Sequence, residues 1–310
     1  MRRHIFIFAL LALGVFAPGC SFRRLAVNKV GDALAGSGTT FASDDDPELI
    51  KQAVPFSLKL MESLLAESPR HPGLIQATAS GFTQYSYAFV QEDADELEAK
   101  DFAAAEAMRA RAKRLYLRAR GYGLRGLEVA HPGFTNALAA NPRGAVTNMK
   151  KSDVPELYWT AVAWGAAISL GKDDPALVAE IPQMEALIDR ALTLDESWSH
   201  GAIHTFLISY EMSRQGVAGD PAGRARRHFE RAMQLTQGRE AGPLVAYAES
   251  VCVAQQDVRQ FEDLLNRALA INPDLHPATR LVNLIMQRRA RWLLAKKEDL
   301  FLTVPAAGQK

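Results

Sequence analysis

The chain has 310 residues, a formal net charge of +1 and 48% hydrophobic residues. This near-neutral balance argues against nucleic acid as a partner, because nucleic-acid-binding domains carry a basic excess. The length suffices for one large domain or two smaller ones with a substantial core. With only two cysteines, the fold must depend on that core and not on a disulfide framework.

The N-terminus has the pattern of a secretory signal. Two arginines precede an uncharged apolar run, Ile5–Ala17, which is shorter than the roughly 20 residues of a membrane-spanning helix. The run ends in Ala-Pro-Gly-Cys, which resembles a bacterial lipobox with Ala17 where Leu is usual. The alternative is a plain cleaved signal followed by an unrelated cysteine. We predict that residues 1–19 are a lipoprotein signal peptide and that Cys20 is the lipidation site.

An acylated Cys20 would hold the protein on a bilayer, since each buried methylene contributes about 0.8 kcal/mol to anchoring. Ser21 follows the cysteine, where an Asp would retain a lipoprotein of two-membrane bacteria at the inner membrane. We therefore expect a periplasmic protein anchored to a bacterial membrane, with the outer membrane favoured.

The segment after the cysteine ends in a stretch of Gly, Ser and Thr, so residues 20–43 are predicted to form a flexible tether. A folded domain then begins. Asp46 is a suitable N-cap and Pro47 suits the first position of a helix. The aspartates at 44–46 lack the Gly and the closing Glu of a calcium loop, so capping explains them better.

From residue 44 to residue 302 the sequence has helical periodicity. Apolar residues recur three and four positions apart, Gly and Pro occupy the gaps, and no period-two alternation is present. We predict one all-α domain over residues 44–302 and a C-terminal tail over residues 303–310. The predicted helices after the first one lie near 74–97, 101–129, 153–170, 182–194, 200–214, 221–236, 241–255, 258–270 and 277–295.

Some of these helices repeat a common unit. Each unit is a helix, a polar turn and a second helix rich in small residues, as in "FEDLLNRALAINPDLHPATR". Asp195, Thr236 and Pro273 mark equivalent turns 41 and 37 residues apart, which is close to the roughly 34 residues of a tetratricopeptide repeat plus short insertions. Such hairpins stack because no single pair can bury its apolar faces alone. The sequence therefore predicts stacked antiparallel helix hairpins in a tetratricopeptide-like superhelical array.

The stretch "LYWTAVAWGAAISLG", residues 157–171, contains no charge and is too short to cross a membrane comfortably. It is apolar on most faces, which favours a central core helix. The alternative is a helix that lines a hydrophobic pocket, with Tyr158, Trp159 or Trp164 facing a ligand. Tyr and Trp suit that role because each has a large apolar body and one polar group.

Tyrosines and arginines form a second group of candidates. Arg118 and Arg125 are seven residues apart and share a helix face, so an arginine pair over an aromatic floor could receive a carboxylate. The alternative is a surface arginine stripe paired with glutamates. The ligand-channel candidates in this group are Tyr85, Tyr87, Tyr116, Arg118, Tyr122 and Arg125.

Glu196, His200 and His204 are spaced one helical turn apart and are the weak candidates for a metal site. No His-Glu-x-x-His motif or further ligand accompanies them, so a polar stripe facing a neighbouring helix explains them better. No phosphate loop and no nucleophile elbow is present. We predict no enzyme activity, no metal and no cofactor.

Several blocks of the chain resemble the TatT family, the T-components associated with tripartite ATP-independent periplasmic (TRAP) transporters. The resemblance covers about residues 44–302 and includes "GFTQYSYAFVQEDADE", "RAKRLYLRARGYGLRGLE", "DVPELYWTAVAWGAAISL" and "LVNLIMQRRARWLLAKKEDLF". It implies a lipoprotein of tetratricopeptide-like hairpins, a homotrimer with a channel through each protomer, and association with the transporter's substrate-binding P component. It offers no catalytic residues.

The expected function is that of a non-enzymatic accessory lipoprotein of a TRAP-type solute uptake system. It would bind the periplasmic P component and channel a small apolar or organic-acid ligand. The alternative is a tetratricopeptide-like lipoprotein scaffold for envelope protein assembly, because such arrays also grip extended peptides in their concave face.

Overall fold

The computed structural model describes residues 20–36 and 38–302. The predicted signal peptide and the predicted C-terminal tail lie outside these residues. The described residues form helices and turns, and no strand occurs among them. The prediction of an all-α fold built from stacked helix hairpins is confirmed.

The helices are numbered here in chain order. They are α1 (Cys20–Ala35), α2 (Gly38–Ala42), α3 (Pro47–Glu67), α4 (Pro72–Ser86), α5 (Glu92–Leu97), α6 (Phe102–Ala130), α7 (Phe134–Ala140), α8 (Pro142–Ala145), α9 (Val154–Ser169), α10 (Pro175–Val178), α11 (Ile181–Leu194), α12 (Ala202–Glu211), α13 (Pro221–Thr236), α14 (Gly242–Tyr247), α15 (Val253–Gln255), α16 (Val258–Ala270), α17 (Arg280–Ala295) and α18 (Lys297–Leu300). Short 3₁₀ turns lie at Lys151–Asp153, Trp198–Gly201, Pro273–Leu275 and Pro277–Thr279.

Two long helices contain a π-helical turn. Tyr87–Gln91 joins α4 to α5, and Ala248–Cys252 joins α14 to α15. A π turn inserts one extra residue into a helix and occurs frequently at functional sites. Both turns carry residues that matter for the sites described below.

Aspartate caps begin many of the helices. The Asp46 side chain accepts hydrogen bonds from the backbone N–H groups of Glu48 and Leu49, both at 3.0 Å, as predicted. Asp101, Asp174, Asp220 and Asp257 cap α6, α10, α13 and α16 in the same way. Each cap satisfies N–H groups that have no partner inside the helix.

The helices pack in sequence and the two ends of the array meet. α4, α6, α9 and α11 follow one another, and α12, α13, α14, α16 and α17 continue the stack. α17 then contacts α2 and α3, and Arg280 Nη1 donates to the Ser43 carbonyl oxygen at 3.0 Å. In an open solenoid each repeat touches only its neighbours. Here α3 of the first hairpin also touches α17, near the C-terminal end of the array, so the array closes on itself.

The segment after Cys20 differs from the predicted tether. It forms α1, which packs on α3 and α4. The Ser68 hydroxyl donates to Asn28 Oδ1 at 2.7 Å, and Gly31 is so close to Leu74 that a Cβ at residue 31 would lie 2.7 Å from Leu74 Cδ1. The polar stretch that suggested a tether occupies only the end of the segment, and the residues before it have helical spacing.

α9 lies at the centre of the core, as the core-helix interpretation of residues 157–171 predicts. Leu157, Ala161, Ala163 and Ala167 are fully buried. α9 packs closely on both α6 and α11 because small residues on the facing surfaces let the backbones approach. Among the described residues, no helix combines the length and apolar character that a membrane crossing requires.

Candidate functional site

Three aromatic rings meet where α9 begins, and we call them the aromatic cluster. Tyr158 lies with its ring centroid 4.9 Å from that of Trp159 and 4.7 Å from that of Trp198, and the two indoles are 6.3 Å apart. Tyr158 is buried, whereas Trp159 and Trp198 are only partly buried. Two of the three pairs, Tyr158–Trp159 and Trp159–Trp198, are edge-to-face, and such pairs contribute about 0.5–1.5 kcal/mol beyond their buried area. The cluster therefore presents two rigid indoles at the protein surface.

A left-handed turn follows Trp198 in the chain. Ser199, His200 and Gly201 have φ angles of 47°, 55° and 87° in succession. Only glycine adopts this region without cost, and a non-glycine residue there costs about 1–3 kcal/mol. The turn leads His200 towards Glu240, and its Nδ1 lies 3.0 Å from Glu240 Oε1. Strained backbone of this kind clusters at binding and catalytic sites.

Trp164 does not belong to the aromatic cluster and has different contacts. It is buried, and its indole N–H donates to Glu180 Oε2 at 2.9 Å. The same carboxylate pairs with Arg120 Nη1 at 2.5 Å, and the Arg120 guanidinium stacks on the Trp164 ring at 4.9 Å. Trp164 is therefore fixed by a charged clamp that holds α9 against α6 and the turn before α11.

Arg118 and Tyr122 share one carboxylate, that of Glu62. The Tyr122 hydroxyl donates to Glu62 Oε1 at 2.9 Å and Arg118 Nη2 lies 2.5 Å from the same oxygen. Burial raises the pKa of Glu62, but hydrogen bonds from Lys59 and Tyr122 and the charge of Arg118 lower it below its usual value overall. The Arg118 side chain, stacked on Phe82 at 5.1 Å, thus already has a protein carboxylate as its partner.

Arg125 lies elsewhere, at an open groove of about 530 Å³ between the C-terminal half of α6, the α3–α4 turn and α7. Its guanidinium donates to the carbonyl oxygen of Pro69. Arg118 and Arg125 therefore do not converge on one ligand. The groove is lined by Pro69, Arg70, Gly121, Leu124, Arg125, Glu128, Val129, Pro132 and Thr135.

The remaining tyrosine candidates lie along α4, its π turn and α6. Tyr85 and Tyr116 are buried, and the Tyr116 hydroxyl donates to Gln91 Oε1 at 2.8 Å. Tyr85 contacts Phe89, with ring centroids 5.9 Å apart. Tyr87 is the first residue of the π turn and stays partly exposed. Of these tyrosines, Tyr87 is the one with access to solvent.

Ion pairs connect α5 to α17, and we call this contact the seam. Arg288 Nη2 lies 2.7 Å from Asp93 Oδ1, and its Nε lies 2.8 Å from Glu96 Oε1. Arg289 Nη1 lies 2.9 Å from Asp95 Oδ2. Further pairs extend the network on both sides: Lys51 with Asp93, Arg109 with Asp95, and Arg289 with Glu249.

Glu92, at the start of α5, is buried beside the seam. It is 1% exposed, neither carboxylate oxygen accepts a well-formed hydrogen bond, and the Tyr87 hydroxyl is a donor that faces it. Burial raises the pKa of Glu92 to about 8, an effect that Arg289, Tyr87 and Arg288 partly offset. A carboxyl with such a pKa is mostly protonated at neutral pH.

The structure brings together two of the three weak metal candidates. His204 Nε2 lies 3.2 Å from Glu196 Oε2, and its Nδ1 lies 2.8 Å from Nδ1 of His228 on α13. His200 points instead to Glu240. His204 contacts Glu196 and His228 through different ring nitrogens. The three side chains therefore do not face a common point at which a metal ion could bind. Within residues 20–36 and 38–302, no group of three His, Cys, Asp or Glu side chains is arranged to hold a metal ion.

A comparison with known families identifies the family of this chain. A family model described as the TRAP transporter T-component matches residues 43–301, which is almost the whole described body. The chain belongs to the TRAP transporter T-component family. A Treponema pallidum protein, described only as an uncharacterized protein, is similar to this T-component. It is 30% identical over 306 residues, which cover 93% of this chain and 95% of the relative. The predicted family resemblance is confirmed.

Sequence reasoning missed several residues of these sites in this T-component. Trp198 completes the aromatic cluster, His228 faces His204, and Glu249 and Arg289 surround Glu92. Trp198 could have been found, because it stands in the same turn as His200 and is one of four tryptophans. The other three depend on contacts between distant helices, which a single sequence does not indicate.

Proposed function

We propose that this chain is a non-enzymatic accessory component of a TRAP-type solute uptake system and that it binds the periplasmic substrate-binding P component. The observation that carries the proposal is the family match over residues 43–301. A closed array of helix hairpins with partly exposed indoles is consistent with that role, because repeat arrays present extended surfaces to partners.

The aromatic cluster is the surface we propose for the P component. Trp159 and Trp198 are large, rigid and partly exposed, and tryptophan is enriched among the residues that dominate protein–protein binding energy. The strained turn at Ser199–Gly201 fixes the position of Trp198 and lowers the entropy that binding would cost. The His200–Glu240 pair supplies a polar rim beside the two indoles.

The proposal includes a small apolar or organic-acid ligand. Four of the predicted channel residues are buried by protein contacts: Tyr85, Tyr116, Tyr158 and Trp164. They would support the wall of a ligand path without touching the ligand themselves. The predicted channel residues that keep some solvent exposure are the better candidates for direct contact. They are Tyr87, Arg118, Tyr122, Arg125 and Trp159.

The anchor and the assembly are parts of the same proposal. Cys20 would carry the lipid that holds the protein in the periplasm, on the outer membrane by preference, and the mature protein would form a homotrimer. α1 begins at Cys20, so an acyl group there would be attached at the start of this helix. Native mass spectrometry of the detergent-extracted protein would show a mass of three protomers, each with acyl chains, if both parts hold.

The decisive experiment measures binding of the full-length protein to the P component of its own transporter. We expect a complex, and we expect the Trp159→Ala and Trp198→Ala variants to weaken it at least tenfold, which corresponds to about 1.4 kcal/mol. Phe102→Ala is the matched control, because Phe102 is a 63% exposed aromatic residue outside the cluster. Failure of the native protein to bind would refute the proposal, and equal binding by all variants would place the interface elsewhere.

A further inference from the structure

The seam joins parts of the chain that are far apart in sequence. The Arg288–Asp93 hydrogen bond spans 195 residues and the Arg289–Asp95 hydrogen bond spans 194. The contact is largely ionic, and Arg288, Asp93 and Glu96 each keep part of their side chain exposed. Partly exposed ion pairs typically contribute about 1 kcal/mol or less each. A contact of this kind can therefore open without unfolding the helices on either side.

Glu92 is the one seam neighbour whose carboxyl has no ion-pair partner in the described part of the chain, and polar and charged groups from several helices face it. On its own helix Tyr87 and Asp95 are near, and Tyr116 faces it from α6. Arg288 and Arg289 face it from α17, and Glu249 faces it from the π turn between α14 and α15. Arg289 is 8% exposed, and its guanidinium already pairs with both Asp95 and Glu249.

Each π turn supplies a side chain that acts on this carboxyl, Tyr87 from the first and Glu249 from the second. Glu92 directly follows the Tyr87–Gln91 turn, and Glu249 lies within the Ala248–Cys252 turn. Arg289 joins the two by pairing with Glu249 and facing Glu92. A π turn holds a helix in a less favourable hydrogen-bonding pattern, and such turns are retained where a helix must change or present unusual groups.

The charge of Glu92 decides whether this arrangement is stable. A neutral buried carboxyl is tolerated with a modest cost, but an ionised one without partners is strongly unfavourable. An ionised Glu92 would compete with Asp95 and Glu249 for Arg289 or would admit water. Either response weakens the bonds by which α17 holds α5.

We propose that the seam is a proton-operated latch, closed while Glu92 is protonated and loosened when Glu92 loses its proton. The direction follows from linkage. Because burial raises the pKa of Glu92 from 4.5 to about 8, its contribution to stability is complete below pH 4.5 and is lost as the pH rises through 8. The latch is thus mostly closed at neutral pH and opens under mildly alkaline conditions. This inference does not depend on the identity of the transported solute or on binding of the P component.

The test is hydroxyl-radical footprinting of the full chain, read by mass spectrometry at pH 6.5 and pH 9. A group with a pKa of about 8 is roughly 3% ionised at the first pH and roughly 90% at the second. Tyr87 and Trp292 report on the seam, since Trp292 stacks under Arg289 at 4.3 Å. Trp159 and Trp198 are internal controls, because they are partly buried and belong to the aromatic cluster. We expect oxidation of Tyr87 and Trp292, relative to the controls, to rise at least about twofold at pH 9.

Two variants assign the effect to Glu92. Glu92→Gln keeps the shape and stays neutral, so the rise should disappear. Glu156→Gln is the matched control, because burial raises the pKa of Glu156 to about 8 as well, but Glu156 lies on α9 against Gly126 of α6. This variant should show the same rise as the native protein. The proposal is overturned if the native chain shows no rise, if Glu92→Gln retains it, or if Glu156→Gln abolishes it.

Discussion

Replacing Gly123 with alanine should destabilise the protein, whereas the same replacement at Gly121, two residues earlier on α6, should stabilise it. Gly123 is buried where α9 crosses α6. A Cβ at this position would lie 3.0 Å from Thr160 Cβ and 3.2 Å from Thr160 Cα, with the Thr160 hydroxyl closer still. At Gly121 a Cβ would meet nothing within 4 Å.

The expected magnitudes follow from these two environments. Alanine in place of glycine within a helix gains about 1 kcal/mol at either position. At Gly123 the added methyl group must also push the backbone of α9 away, and overpacking of a well-packed core costs about 1–3 kcal/mol or more. Thr160 is fully buried and cannot move aside. We therefore expect Gly121→Ala to raise the free energy of unfolding by about 1 kcal/mol and Gly123→Ala to lower it by up to about 2 kcal/mol.

Urea unfolding followed by circular dichroism would measure both variants, with the midpoint compared at a constant slope. Thr160→Ala provides a further check, because it removes the Thr160 hydroxyl, the atom that the new methyl group would meet first. In the Gly123→Ala/Thr160→Ala double variant we expect a favourable coupling energy of about 1 kcal/mol. If Gly123→Ala matches or exceeds the stability of Gly121→Ala, the close approach of α6 and α9 is wrong.

Three other outcomes are expected. Burial and the charge of His204 lower the pKa of His228 to about 4, so the unfolded chain binds protons more readily between pH 6.5 and 4. The contribution of His228 to stability should therefore be complete above pH 6.5 and fall as the pH drops towards 4. In urea titrations at a series of acid pH values, His228→Asn should lose about 2 kcal/mol less stability than the native protein over that range. The shift alone corresponds to roughly 3 kcal/mol, which is reduced because the ring is partly exposed. Trp164→Phe removes the donor to Glu180 and should cost about 1–2 kcal/mol, measured by the same unfolding assay, whereas an unchanged midpoint would show that the indole N–H contributes nothing. Cys20→Ala should move the protein from the membrane fraction to the soluble fraction on cell fractionation, and retention in the membrane would contradict the lipid anchor.

Much of the fold could be predicted because local signals agree with the final structure. The predicted helices at 221–236 and 258–270 match α13 and α16, each of which begins with an aspartate cap. The uncharged run at 157–171 predicted the position of α9 in the core, because a helix that is apolar on most faces has to be surrounded by other parts of the protein.

The sites were harder to predict because they depend on contacts between distant helices. Tyr158 and Trp159 were recognised, but Trp198 comes from another hairpin. Arg118 and Arg125 share a helix face and yet face different partners, because Glu62 and Pro69 lie on separate elements. A π turn has no residue pattern of its own, so neither turn beside Glu92 could be expected.

The closure of the array also limits how this chain can change over evolution. A solenoid with free ends lengthens readily, because a duplicated hairpin simply adds to the stack. Here an inserted hairpin would displace α17 by the width of one unit, and Arg288 and Arg289 would lose their aspartates on α5. The closure of the array therefore fixes the number of hairpins, and new specificities have to arise from substitutions inside existing hairpins.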